Sequence, residues 1–111
     1  MKRILLVDDQ PDVLRGIRRL LVGRFHVDVA GDAETAAELL EQHAYAAVLT
    51  DFNLPNRDGL WLLQRTKERR PGARRVLISG RSEKEFDGVQ VVERFVRKPA
   101  TTQQLLAALE S

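Results

Sequence analysis

Ile4-Leu5-Leu6-Val7-Asp8-Asp9 is an unbroken run of four apolar residues stopped by two carboxylates. A short continuous apolar run predicts a strand covered on both faces, as in a parallel sheet. It is too short for a secretory core or a membrane span, despite Met1-Lys2-Arg3 ahead of it, so the protein is read as cytoplasmic. The same pattern returns three times. Ala46-Ala47-Val48-Leu49 stops at Asp51, Val76-Leu77-Ile78 ends at Ser79-Gly80, and Phe95-Val96 is closed by Lys98-Pro99. The valine-rich, alternating stretch Phe25 to Ala30 predicts one more strand.

Between these strands the period changes to that of a helix. Pro11 suits a first helical position, and Val13, Leu14, Ile17, Leu20 and Leu21 follow at helical spacing, with Arg15, Arg18 and Arg19 on the other side. Asp32 is a plausible N-cap for a helix burying Ala36, Ala37 and Leu40. A loop with Pro55 and Gly59 leads into a helix through Leu60, Leu63 and Thr66, broken at Pro71-Gly72. Ser82-Glu83-Lys84-Glu85 offers a cap, but Gly88, Val89, Val91 and Val92 oppose a long helix. The fourth helix is therefore expected to be short or irregular. Thr101-Thr102-Gln103-Gln104 fits a capping box, and Leu105, Leu106 and Leu109 make the last amphipathic helix.

Strand and helix alternating in 111 residues leave room for one domain, residues 1–111. The predicted class is α/β: one doubly wound, five-stranded parallel sheet, flavodoxin-like, with helices on both faces and right-handed crossovers. Hydrophobic residues are 43 % and charged residues 31 % of the chain, as in a globular fold rather than a disordered one. Eighteen Lys+Arg against 16 Asp+Glu give a net charge of +2, which does not argue for a nucleic-acid partner. With no cysteine, disulfides, cysteine–zinc sites and cysteine nucleophiles are excluded. His26 and His43 lack metal-pair spacing and read as surface or edge residues.

Ligands of an open parallel sheet bind outside the carboxyl ends of its strands, where strand order reverses. With the order 2-1-3-4-5, Asp8-Asp9 and Asp51 become neighbours at that reversal, flanked by Ser79 and Lys98. Three ionised carboxylates so close repel unless a cation joins them, and oxygen-only ligands favour a hard ion such as Mg²⁺. A metal, an ammonium, a hydroxyl and a carboxylate able to act as nucleophile suit phosphoryl transfer.

Ile4-Leu5-Leu6-Val7-Asp8-Asp9, Leu49-Thr50-Asp51-Phe52-Asn53-Leu54-Pro55 with Asp58-Gly59, Leu77-Ile78-Ser79-Gly80, and Phe95 with Lys98-Pro99 together resemble the receiver domain of bacterial two-component response regulators. The resemblance covers essentially the whole chain. It implies that Asp51 accepts a phosphoryl group from a phosphohistidine on a sensor histidine kinase or phosphotransfer protein. It implies Mg²⁺ held by Asp9, Asp51 and the main-chain carbonyl of Asn53, with Asp8 acting through a water. It implies that Lys98 pairs with the phosphoryl oxygens, that Ser79 turns toward them, and that Phe95 changes rotamer in step. The resemblance places Asn53 and Arg81 where residues influence hydrolysis of the acyl phosphate, and it implies a cis Lys98–Pro99 bond.

The resemblance also implies a downstream output domain or protein as partner, permits a homodimer, and includes no membrane. The 19 positions from Ser79 to Lys98 are a few fewer than the family pattern, which weakens signalling through the usual dimer face.

Two other classes compete with this reading. Asp51-Phe52-Asn53 resembles aspartate-nucleophile phosphatases, but those place the nucleophile after the first strand and have an acid where Asn53 stands. A degenerate receiver serving as a phosphorylation-independent docking module is the alternative, opposed by the complete set of site residues. A dinucleotide site is disfavoured, because no Gly-x-Gly-x-x-Gly follows the first strand. The basic group Lys67, Arg69, Arg70, Arg74 and Arg75 reads as a solvated helix end and loop without aromatics for base stacking. Trp61, off its helix's apolar stripe, reads as a partly exposed ring lying over its own helix, with a partner anchor as the sharper reading.

Overall fold

The fold is a computed structural model that describes residues 1–110. In chain order it runs β1 (Arg3–Val7), α1 (Pro11–Leu21), β2 (His26–Ala30), α2 (Ala33–Gln42), β3 (Ala47–Asp51), α3 (Gly59–Arg69), β4 (Arg74–Ser79), a 3-10 helix (Glu83–Phe86), β5 (Arg94–Arg97) and α4 (Thr102–Glu110). All strand pairs are parallel, in the order β2-β1-β3-β4-β5. The α/β class, the five-stranded parallel sheet and the reversal between β1 and β3 are as the sequence predicts.

The period of two along each strand divides the core into two layers. Ile4, Leu6, Leu49, Val76 and Ile78 face α1 and α4, where Ile17, Leu21, Leu105 and Leu109 meet them. Leu5, Val7, Val48 and Leu77 face α2 and α3, against Ala36, Leu40, Leu62 and Leu63. Strands lined by apolar residues on both sides explain the unbroken runs. No helix among the described residues is long and apolar enough to cross a membrane.

Caps fix the helix starts that position the loops. Asp32 accepts the Thr35 N–H at 2.6 Å, and Thr101 and Gln104 exchange backbone N–H bonds at 2.9 and 3.1 Å, the reciprocal box read from the sequence. Asp58 caps α3 by accepting the Trp61 N–H at 2.9 Å.

Several expectations need correction. Leu20 projects outward, 43 % exposed, because α1 turns only Ile17 and Leu21 fully inward. On α3 the stripe is Leu62, Leu63 and Thr66, with Leu60 only partly covered. On α2 it is Ala33, Ala36 and Leu40, with Ala37 at the margin. Between β4 and β5, by contrast, the short or irregular fourth helix is as the sequence predicts, a single 3-10 turn. Its Ser82/Glu85 capping box forms, but Gly88 sits at φ 79°, and a left-handed residue ends a helix.

Of the basic group, Lys67 and Arg69 are solvated, whereas two others serve the interior. Arg70 donates to the Leu40 carbonyl at 2.7 Å at the end of α2. Arg75, 9 % exposed, donates to the Val91 carbonyl at 2.9 Å and fastens the helix-poor connection to the sheet.

Candidate functional site

Parallel strands bring all their carboxyl ends to one rim, so residues distant in sequence meet there. β1 delivers Asp8 and Asp9 and β3 delivers Asp51; one oxygen of each lies within 4.8 Å of the other two. Asp8 and Asp51 are buried, at 1 % and 7 % exposure, while Asp9 faces solvent. From beyond β5, Lys98 Nζ reaches across to Asp8 Oδ2 at 2.8 Å and Asp51 Oδ1 at 3.3 Å. Ser79 is fully buried at the end of β4, and its carbonyl accepts the Lys98 N–H at 2.9 Å. The Lys98–Pro99 bond is cis, as expected.

Burial is the main influence on Asp51 and raises its pKa. The Lys98 charge opposes this, the Asp8 charge adds to it, and the net direction is upward. For Lys98 burial alone would favour the neutral amine. The Asp8 hydrogen bond and the charges of Asp51 and Asp8 outweigh it, so its pKa is raised and the ammonium is secured. One ammonium thus holds two of three carboxylates, leaving a local excess of negative charge. An oxygen-only set of this kind fits a hard divalent cation and would be relieved by one.

The other predicted residues occupy the margins. Asn53, exposed, stands in the loop after Asp51. Arg81 donates its backbone N–H to Ser79 Oγ at 3.0 Å, pairs with Glu85 at 3.3 Å, and places its guanidinium 5.1 Å from the centre of the Phe52 ring. Phe95, on β5, is half-buried beside Phe86. Trp61 is not at this site. It lies between α2 and α3 with Arg57 and Arg65 each 5.3 Å from its ring centre, a partly buried ring on its own helix.

Sequence reasoning quoted two further contributors, Gly59 and Phe52, without giving either a role. A Cβ on Gly59 would stand 2.2 Å from the Asp51 carbonyl oxygen, so only glycine lets α3 start against the main chain of Asp51. Its N–H also donates to the Phe52 carbonyl at 2.8 Å, closing the loop. A poor helix former directly after a capping Asp58 was the available signal. Phe52 was given no role because an aromatic in a loop carries no period.

Residues 4–110 match the response regulator receiver domain family. MctR, a transcriptional regulatory protein of Rhizobium johnstonii, is 30 % identical over 98 % of this chain, which spans 54 % of that protein's length. The signal receiver domain of an HD domain-containing protein from Pseudomonas fluorescens Pf-5 superposes with a TM-score of 0.87 and 31 % identity, covering 97 % of this chain and 83 % of that one. TrrA of Thermotoga maritima, a response regulator solved in complex with Mg²⁺-BeF, gives a TM-score of 0.86 at 25 % identity, covering 96 % and 95 %. A carboxylate rim at the reversal of a 2-1-3-4-5 sheet and a match over nearly every residue lead to one conclusion: the chain belongs to the response regulator receiver domains of two-component systems.

Proposed function

We propose that this receiver domain accepts a phosphoryl group on Asp51 from a phosphohistidine of a sensor histidine kinase or phosphotransfer protein, and that the modification switches a partner-binding surface. The observation that carries this reading is the position of Lys98 Nζ, within 3.3 Å of both Asp8 and Asp51. An ammonium held there neutralises charge arriving on phosphoryl oxygens while leaving Asp51 able to attack.

In the transfer, an Asp51 carboxylate oxygen forms the new P–O bond as the P–N bond of the phosphohistidine breaks, and the released imidazole takes a proton. Asp8, Asp9, Asp51 and the main-chain carbonyl of Asn53 are the groups that would hold Mg²⁺, which when bound supplies positive charge to the phosphoryl oxygens. Ser79 Oγ already accepts the Arg81 N–H, so its own hydrogen is free to be donated to a phosphoryl oxygen. Reversal is hydrolysis: water attacks phosphorus and the Asp51–phosphoryl bond breaks. Arg81 and Asn53, at the margin, modulate that step.

The domain acts in the cytoplasm in this reading. Its partners are the kinase or phosphotransfer protein upstream and an output domain or protein downstream, with a homodimer as one form the switched surface could take. The longer relative MctR, named as a transcriptional regulator, supports an output in gene control. Direct nucleic-acid contact is not part of the reading.

Intact-mass measurement after incubation with acetyl phosphate and Mg²⁺ tests the proposal. A gain of one phosphoryl group, lost in Asp51→Asn, supports it. Turnover of the donor without an adduct would mean a phosphatase, and no reaction would mean a docking module; either overturns it.

A further inference from the structure

The chain has four phenylalanines, and three of them form a line. Phe52 follows Asp51 directly, and its ring meets Phe86 edge-on, with centroids 5.1 Å apart at 64°. Phe86 in turn lies tilted against Phe95, at 5.7 Å and 31°. Both distances fall within the range of favourable aromatic pairs. The line starts beside the carboxylate rim and ends on β5, the last strand of the sheet. Phe25 belongs to the opposite core layer.

Phe86 is the middle member and the only buried residue of the 3-10 helix, at 9 % exposure. Close-packed side chains transmit displacement because there is little empty volume to absorb it. A ring held between two others moves with them. The near end of the line is tied to the site twice: the Arg81 guanidinium lies over the Phe52 ring, and the Arg81 N–H is bonded to Ser79 Oγ. A change in Ser79 or in the Asp51 loop therefore acts on Phe52 and Arg81 together. The far end lies beside a groove of about 810 Å³ between the 3-10 helix, β5 and α4, lined by Lys84, Phe95, Arg97 and Gln104 among others.

We propose that Phe86 is a positioning residue, carrying the state of Asp51 from Phe52 to Phe95 and so to the groove beside β5. The inference rests on the phosphoacceptor reading. It adds a second route to Phe95 beside the one through Ser79.

The test uses the chain labelled with 4-fluorophenylalanine, followed by fluorine NMR as Mg²⁺ and beryllofluoride are added. In the wild type the Phe52, Phe86 and Phe95 resonances shift and that of Phe25 stays. In Phe86→Leu the Phe52 shift and the beryllofluoride affinity stay within about twofold of wild type, while the Phe95 shift falls below about half. A purely structural role for Phe86 would not separate these two responses. Phe86→Met, which also keeps an apolar side chain, replaces the leucine variant should that one fail to fold. A full Phe95 shift in a folded variant overturns the relay and leaves the phosphoacceptor reading standing. No shift at Phe52 in the wild type while beryllofluoride binds overturns the relay alone, and no beryllofluoride binding at all overturns the phosphoacceptor reading with it.

Discussion

Replacing Gly59 by alanine sets two effects of opposite sign against each other. Helix propensity alone favours alanine by about 1 kcal/mol in a helix interior. The geometry says otherwise. The new Cβ would lie 2.2 Å from the Asp51 carbonyl oxygen and must open to at least 3.0 Å, a displacement of 0.8 Å between two backbone segments. Overpacking of that kind costs about 1–3 kcal/mol, and weakening the 2.8 Å bond from Gly59 N–H to the Phe52 carbonyl costs about 1 kcal/mol more. The net expectation is a loss of about 1–3 kcal/mol, measured by urea denaturation, accompanied by weaker beryllofluoride binding as the Asp51 main chain moves. Gly16→Ala is the control. It lies within α1 with nothing within 4 Å of a built Cβ, and should gain about 0.5–1 kcal/mol. A Gly59→Ala protein as stable as wild type would refute the close-approach argument.

Asp51→Asn should stabilise the metal-free protein. Burial and Asp8 raise the Asp51 pKa above its ordinary 3.8 despite Lys98, so the ionised carboxylate opposes folding. That penalty is fully present above the folded-state pKa and disappears as pH falls to 3.8. Urea titrations of both proteins across pH should show an advantage for the asparagine variant at neutrality that shrinks on acidification; an advantage that grows would contradict the sign. Lys98→Met leaves Asp8 and Asp51 without their cation. The loss of stability should fall between the roughly 1 kcal/mol of an exposed pair and the 3–5 kcal/mol of a buried one, since Lys98 is partly exposed. Unchanged stability at neutral pH without metal would refute it. Arg81→Ala should change the lifetime of the phosphorylated state more than the rate of uptake, and equal effects in a time course would count against it.

The carboxylate rim was legible in the sequence because four of the five strands are short apolar runs closed by a polar residue, β2 being the exception, with its end at Ala30. The parallel alternation then puts every such end on one edge, and Asp8, Asp9, Asp51 and Lys98 follow without further information. Helix faces were less legible. Leu20 and Leu62 lie close to the edge of an apolar stripe, where packing against the sheet, rather than period, decides which turns inward. The connection from β4 to β5 was readable as unfavourable to helix through Gly88 and its valines. Its anchoring by Arg75 was not, since a buried arginine that donates to a carbonyl looks in sequence like any member of a basic run. Gly59 and the Phe52–Phe86–Phe95 line depend on distances between residues 7 to 34 positions apart, which no local pattern encodes.

A crystal structure of the protein grown with Mg²⁺ and beryllofluoride tests the central claim most directly. The account predicts beryllium on an Asp51 carboxylate oxygen, the metal among Asp8, Asp9 and Asp51, and Lys98 Nζ with Ser79 Oγ on the fluorides. Beryllofluoride attached to another carboxylate, or absent at saturating concentration while the fold is intact, would contradict it.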